Sequence, residues 1–425
     1  MQTFKLANGM RVVLEPDPAV PVVTMAMVFD VGGRQEAPGR SGFAHLFEHL
    51  MFEGSRNAPK GAFDRVLETY GGDNNASTHE DFTFYYETLP SNALPIALWL
   101  DADRLSALSI TEESFRNQVA VVEEEKRLRV DNEPYAPLLY VDIASRTFRN
   151  WANAHPTIGT FADLDAATLK DVKRFFNDYY APANGWLAVV GDIDPDQARA
   201  DVERYFAWIP NLGAPTPVDT AEPRQEAPRR SVVEDPHAAV PALAVAWTGL
   251  PRRGSRPDFY AAEILGRLLA YGKSSRLYQG LVKGSQIAVS VDGGLGFPVS
   301  DADEYRQPGL FGLFVIHKST IAAETVRQAV FEEIRRVAEG GVSPDELDRV
   351  KTKFRSDFIV EGQTTLGRAE RLLRAALLDG SPEAAGTELD RFMAVSPADV
   401  QKAAGRYLTE ETSNTFEVRP RGKAQ

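Results

Sequence analysis

Hydrophobic residues follow two patterns along this chain, and each pattern predicts a different element. Short apolar runs predict strands at 22–29 and 242–247. Phe115, Val119 and Val122 recur at helical spacing and predict a helix over 115–129. Strands and helices therefore both contribute to the fold.

The order of these elements repeats, which predicts an internal duplication. The stretch 12–21 and the strand after it are echoed by 232–241 and the strand at 242–247. Both halves also end with a predicted helix followed by a strand. These are 169–180 and 186–190 in the first half, and 398–407 and 415–418 in the second. This predicts an α+β protein with two homologous domains, each a mainly antiparallel sheet with helices packed on one face.

A proline-rich segment lies between the two repeats. Five prolines fall between residues 210 and 230, among small and charged residues, and they predict an extended linker. The predicted domains are therefore 1–209 and 231–425, joined by 210–230. With 425 residues, 43% hydrophobic and 25% charged, the chain is long enough for two cores.

Charge and composition exclude several classes of protein. The net charge of −13 argues against nucleic acid as a partner and mildly favours basic peptides. No apolar run reaches the length of a membrane span, and residues 1–7 do not resemble a signal peptide. The absence of cysteine excludes disulfides and thiolate metal ligands. We expect a cytoplasmic or periplasmic protein, since a removed leader would leave the same sequence.

The segment 41–52 combines a predicted helix with metal-binding chemistry. It contains good helix formers and no proline, with Ser41 as a possible N-cap and Gly54 just beyond its end. His45 and His49 lie four residues apart with Glu48 beside the second, so a helix turns all three toward one side. Two imidazoles can hold one metal ion there. The alternative is a pair of core histidines satisfied by neighbours.

A catalytic zinc site keeps three protein ligands and one open position, so a third ligand is required. The candidates are the consecutive glutamates 123–125 on the helix predicted over 115–129. Helical periodicity does not choose among them, because none clearly shares the stripe of Phe115, Val119 and Val122. The alternative for such an acidic run is a solvated helix face.

The order His-x-x-Glu-His at 45–49 is the inverzincin signature, the reverse of the better-known zinc motif. With it, the chain resembles the M16 family of metallopeptidases, which includes pitrilysin, insulin-degrading enzyme and the mitochondrial processing peptidase. The resemblance covers essentially the whole chain and is greatest to short bacterial members. It implies a zinc-dependent endopeptidase whose two halves enclose a chamber like a clam shell.

The resemblance also implies roles for individual residues. One zinc ion per chain would be held by His45, His49 and Glu124, with Glu123 as second choice for the third ligand. Glu48 would be the general base and acid and not a ligand. Many relatives carry an auxiliary glutamate seven residues before the ligand glutamate. That position is Asn117 here, which supplies no charge.

The segment 71–87 is the candidate substrate-binding region. A glycine and asparagine turn leads into β-branched and aromatic residues, which predicts a turn and strand and resembles the family's edge strand. An open strand edge holds an extended peptide through main-chain hydrogen bonds, so Asn75, Ala76 and Thr78 would lie along the substrate. An ordinary edge strand is the alternative.

The second half lacks a metal motif and two expected residues. Many family members place an arginine and a tyrosine seven residues apart there, and the corresponding positions are Val282 and Val289. The resemblance therefore implies a heterodimer in which a homologous M16 subunit supplies the Arg/Tyr pair. A homodimer, a structural subunit with a decayed protease fold, and a metal-binding module without hydrolysis are the alternatives.

Overall fold

The computed structural model of the protein describes residues 1–211, 215, 217–251, 253, 257–299, 304–306 and 309–421. Its strands, in chain order, are β1 Gln2–Lys5, β2 Arg11–Pro16, β3 Val22–Phe29, β4 Asp73–Thr78, β5 Thr83–Pro90, β6 Gly185–Gly191, β7 Arg229–Asp235, β8 Ala242–Trp247, β9 Ala288–Leu295, β10 Phe311–His317 and β11 Asn414–Pro420.

The helices of the described residues lie between these strands along the chain. They are α1 Phe43–Leu50, α2 Ala62–Thr69, α3 Leu94–Ala107, α4 Glu112–Lys126, α5 Ile143–Thr147, α6 Trp151–Ala154, α7 Phe161–Asp165, α8 Leu169–Tyr179, α9 Pro195–Phe206, α10 Pro257–Ala270, α11 Ala323–Gly340, α12 Pro344–Glu361, α13 Thr365–Arg374, α14 Ala385–Met393 and α15 Pro397–Tyr407. Within these ranges, no helix combines the length and the apolar character that crossing a membrane requires.

The strands form two sheets with the same internal order. The first runs β1-β2-β6-β3-β5-β4 and the second β7-β11-β8-β10-β9. Each contains a single parallel pair, β2 with β6 and β7 with β11, and its other neighbours are antiparallel. Apart from the added β1, the two sheets match strand for strand. The α+β fold with two homologous, mainly antiparallel sheets is confirmed.

The first sheet carries helices on a second face, in addition to the one face predicted. On one face, the buried side chains of β3 at Val23, Met25, Met27 and Phe29 join the main core with α1, α3 and α8. On the opposite face, Ala26 and Val28 pack with Leu372 and Leu373 of α13. The run 22–29 lacks polar alternation because both faces of this strand are buried.

The chain divides into two compact units, and neither unit is continuous in sequence. The first contains 1–124, 157–219 and 358–386, and the second contains 125–156, 220–357 and 387–425. One boundary, between Asp219 and Thr220, lies inside the predicted linker. The segments 125–156 and 358–386 belong to the unit opposite to that of their predicted domains, 1–209 and 231–425.

The exchanged segments serve equivalent roles within their units. In the second unit, Leu138, Ile143 and Phe148 pack against the sheet face formed by β8, β10 and β11. In the first unit, α13 covers the corresponding face of the other sheet. Each sheet therefore receives its second helical layer from the other half of the sequence.

The proline-rich segment is held in place toward its C-terminal end. Of 210–230, residues 212–214 and 216 lie outside the described residues, while 217–228 carry neither helix nor strand and β7 begins at Arg229. Glu222 accepts hydrogen bonds from the backbone of Asn150 at 3.1 Å and from the Asn153 side chain at 3.1 Å. This part of the segment is therefore tied to the second unit.

The packing of α13 gives a test of the two-sided sheet. Leu373 is fully buried, and Leu373→Ala should lower the free energy of unfolding by about 2–5 kcal/mol because it opens a cavity beside β3 and β6. Val360→Ala is the matched control, since Val360 is 59% exposed in the same segment and its loss should cost less than about 0.5 kcal/mol. Chemical denaturation measures both, and equal small effects would contradict a covered second face.

Candidate metal centre

Helix α1 carries the His-x-x-Glu-His motif, and its N-terminus is held by a carboxylate. Glu36 accepts hydrogen bonds from the Gly42 amide at 2.8 Å and from the Ala44 amide at 2.7 Å. These are orphan donors of the first helical turn, and a negative charge there also stabilises the helix dipole. Glu36 is buried, so this cap is shielded from water.

Gly42, rather than the predicted Ser41, is the N-cap of α1. Gly42 has a φ of 86°, and a Cβ there would lie 2.9 Å from the Gly159 Cα, so only glycine fits. Ser41 instead donates from its backbone amide and its hydroxyl to Asp163. The helix ends at Leu50, before the predicted end near Gly54.

The apolar side of α1 fixes the orientation of its polar side. Leu46, Phe47 and Leu50 are buried in the main core, and the Phe47 ring lies 4.6 Å from the Tyr180 ring, centroid to centroid. His45 and His49 remain half-buried on the other side, with their ring centroids 4.9 Å apart. Core packing therefore turns both imidazoles toward one place.

Glu125 completes a group of three candidate ligands. One ligand atom each from His45, His49 and Glu125 lies within 4.8 Å of the others, and this is the one such group within the described residues. Glu125 is the next-to-last residue of α4, whose earlier turns belong to the first unit, so a continuous helix carries this carboxylate to the histidines. Nitrogen and carboxylate donors in this combination suit a divalent metal such as zinc.

The predicted third ligand, Glu124, is not in this group. Glu124 is exposed, while Glu123 is half-buried and also outside the group. At about 100° per residue, Glu124 lies about half a turn from the middle of the Phe115, Val119 and Val122 stripe. The structure groups Glu125 with the two histidines, one residue beyond the predicted Glu124. The helical angle alone could have excluded Glu124, although it does not separate Glu123 from Glu125.

The auxiliary position shifts by the same single residue. Seven residues before Glu125 is Gln118, and two helical turns place both on one flank of α4. The Gln118 Oε1 lies 3.3 Å from His49 Nδ1, whereas Asn117 is exposed. Gln118 donates to Glu53 at 2.6 Å, and the sequence singles out neither residue, because the auxiliary position is counted back from Glu124.

Glu48 is joined to the candidate substrate strand. The Thr78 hydroxyl donates to Glu48 Oε2 at 2.5 Å, and Glu48 is not one of the three grouped ligands. Thr78 ends β4, which pairs only with β5 and forms the edge of its sheet. Asn75 is exposed and Ala76 half-buried on the same strand, and the Ala76 amide donates to Asn75 Oδ1 at 2.8 Å.

A buried charged cluster lies beneath the end of α1. Arg104 donates to Glu87 at 2.9 Å, is paired with Asp101, and stacks on Phe52, which follows α1 by two residues. Burial raises the pKa of Glu87 well above its ordinary value and raises the pKa of Asp101, while the Arg104 charge opposes both shifts. The two carboxyls therefore retain a proton more readily than exposed ones. Breaking such a cluster is costly, which keeps this end of α1 in place.

The residues of the second half that align with the expected Arg/Tyr pair carry no polar group. Val289 lies on β9, the edge strand of the second sheet, and is 56% exposed, while Val282 is half-buried in the helical turn 278–284. The nearby Arg276 is engaged elsewhere, because its guanidinium donates to Glu346 at 2.7 and 2.8 Å.

Comparison with known proteins agrees with this architecture. Residues 11–160 match the family model described as Insulinase (Peptidase family M16), and residues 166–354 match the model described as Peptidase M16 inactive domain. The first match contains the motif of α1 and four strands of the first sheet, β2, β3, β4 and β5.

Individual relatives cover nearly the whole chain. The zinc protease PqqE of Helicobacter pylori is 28% identical over 427 residues, which cover 99% of this chain and 93% of that protein. The mitochondrial-processing peptidase subunit beta of Saccharomyces cerevisiae is 23% identical over 408 residues, covering 92% and 86%. The crystal structure of a protease from Helicobacter pylori superposes with a TM-score of 0.91 at 27% identity and covers 99% of both chains. The chain belongs to the M16 family of peptidases.

Proposed function

We propose that this protein is a zinc-dependent endopeptidase that hydrolyses peptides or small unfolded polypeptides. The observation that carries this proposal is the convergence of His45, His49 and Glu125 beside Glu48, which is itself bonded to the edge strand β4. Relatives named zinc proteases support the same chemistry.

The donor set fits one zinc ion. Two imidazole nitrogens and one carboxylate oxygen are the three-ligand arrangement of catalytic zinc sites, which keep a fourth position open. The exposed Arg129 pairs with the Glu125 carboxylate at 2.9 Å. Zinc, when bound, supplies Lewis acidity, which lowers the pKa of water and polarises a carbonyl group.

Glu48 is the proton carrier in this proposal. The Thr78 hydroxyl donates to its Oε2, and the carboxylate would accept a proton from the attacking water. Glu48 then delivers that proton to the amine of the departing peptide. Thr78 therefore orients the carboxylate and links it to the strand on which substrate would bind.

The open edge of β4 gives a means of binding substrate without a strict sequence requirement. An extended peptide can add to this edge through main-chain hydrogen bonds. Asn75, Ala76 and Thr78 would then lie along it, with Thr78 at the end nearest Glu48. This register would bring a peptide bond of the added strand to the metal centre.

We further propose that the active form is a heterodimer with a homologous M16 subunit. Val282 and Val289 stand where an arginine and a tyrosine would contact substrate, and Arg276 is committed to Glu346. A sister chain that carries the Arg/Tyr pair would supply the missing contacts. The competing proposal is a homodimer that orients substrate by other means.

Glu48→Gln separates metal binding from hydrolysis. The variant should keep one zinc per chain but lose roughly 10²–10⁴-fold in kcat, because its amide cannot accept a proton. Elemental analysis and cleavage of a fluorogenic peptide, with the partner subunit present, measure the two effects. Hydrolysis by Glu48→Gln at the wild-type rate, or an inactive zinc-loaded wild type, would contradict the peptidase proposal.

A matched pair of substitutions tests the third ligand. Glu125→Gln should raise the zinc Kd by more than the roughly 10–100-fold that loss of an outer-shell partner costs. Glu124→Gln removes the same charge from the neighbouring exposed position and should leave the Kd within about twofold. Chelator competition measures both. A larger loss in Glu124→Gln than in Glu125→Gln would restore the original assignment.

The heterodimer is tested by adding the missing residues in two ways. The chain alone should cleave peptides at background rate, and mixing with a homologous M16 chain that carries the Arg/Tyr pair should restore activity. The double substitution Val282→Arg and Val289→Tyr should give the lone chain measurable activity, since both positions already align with that pair. Full activity of the lone wild-type chain would exclude an obligate partner.

A further inference from the structure

Gln118 connects a candidate metal ligand to a buried carboxylate. Its Oε1 lies 3.3 Å from His49 Nδ1, and its Nε2 donates to Glu53 Oε1 at 2.6 Å. Glu53 is only 7% exposed, and its other oxygen accepts from Lys60 Nζ at 2.7 Å. Four side chains are thus connected in series by polar contacts, from the surface lysine to the imidazole.

The chemistry of each group fixes which atom donates and which accepts in each of these hydrogen bonds. Glu53, ion-paired with Lys60, can only accept hydrogen bonds, so the amide nitrogen of Gln118 must face it. The amide oxygen must then face His49, and this oxygen also can only accept. The ring nitrogen in contact with it, Nδ1, must therefore carry the hydrogen. In the neutral ring the other nitrogen, Nε2, is then the unprotonated one.

We propose that Gln118 is a positioning residue that fixes His49 as the Nδ1–H tautomer and presents Nε2 to the metal ion. The Glu53–Lys60 pair fixes the amide, and the amide fixes the ring. The metal-binding part of this inference rests on the proposed function, whereas the tautomer does not.

An amide satisfies both neighbours at this position without either of them taking up a proton. A carboxylate at 118 would place two acceptors 2.6 Å apart at Glu53, with no hydrogen between them unless one group took up a proton. A leucine would fill the space but would leave His49 Nδ1 and Glu53 Oε1 each without this partner. Gln118 alone satisfies both neighbours without adding charge to the metal centre.

The tautomer can be measured without metal. Long-range nitrogen–proton spectra of zinc-free protein labelled with ¹⁵N-histidine resolve protonated from unprotonated ring nitrogens among the six histidines, with His49→Ala giving the assignment. Wild type should show His49 protonated at Nδ1. Gln118→Leu should shift it toward the Nε2–H form. Gln118→Glu keeps an acceptor for Nδ1–H and should restore the wild-type tautomer.

Zinc affinity is the second readout. Gln118→Leu should raise the zinc Kd by roughly 10–100-fold, the usual loss when a ligand histidine loses its outer partner. Asn117→Leu makes the same apolar change one residue away on the exposed side of α4 and should stay within about twofold. Circular dichroism confirms that each variant is folded.

The outcomes separate this inference from the proposed function. An Nε2–H His49 in wild type, or the same tautomer in wild type and Gln118→Leu, would overturn the positioning role. So would a lower zinc affinity in Gln118→Leu with its tautomer unchanged, since that result reports packing. If the tautomer behaves as expected but wild type binds no zinc, the positioning of the ring stands and the zinc peptidase proposal fails.

Discussion

The candidate metal centre depends on the hydrogen bonds between Glu36 and the first turn of α1. This helix is only eight residues long, which is too short to be stable without tertiary contacts. Glu36 satisfies two amides at its N-terminus, and Phe47 packs its opposite side into the core. His45, Glu48 and His49 share one side of this helix, so the contacts of Glu36 and Phe47 set the direction that the three have in common.

Helix α4 contributes to the candidate metal centre at two positions. One flank of this helix carries Glu125 near the histidines and, two turns earlier, Gln118 beside His49. The apolar stripe around Val119 and Val122 holds that flank against the first unit. A single helix thus supplies both a candidate ligand and the group that orients another ligand, and a shift of one residue would lose both.

The sequence predicts the parts of this site that depend on local spacing. Periodicity and the motif are sufficient to locate α1, and apolar runs locate β3 and β8, because these patterns act within a few residues. The structure brings Glu125 and not the predicted Glu124 to the histidines, since a run of three glutamates leaves the choice among them to contacts distant in the sequence. Those contacts include the 3.3 Å approach of Gln118 to His49, which no local pattern encodes.

The exchange of 125–156 and 358–386 between the two units has a consequence for the synthesis of the chain. Because α13 covers the second face of the first sheet, a ribosome must translate residue 374 before the sheet beneath helix α1 is fully enclosed. The first half therefore emerges with an apolar face that it cannot bury by itself. Each half of the sequence supplies the layer that covers the sheet of the other, so neither half can enclose its own sheet when expressed alone.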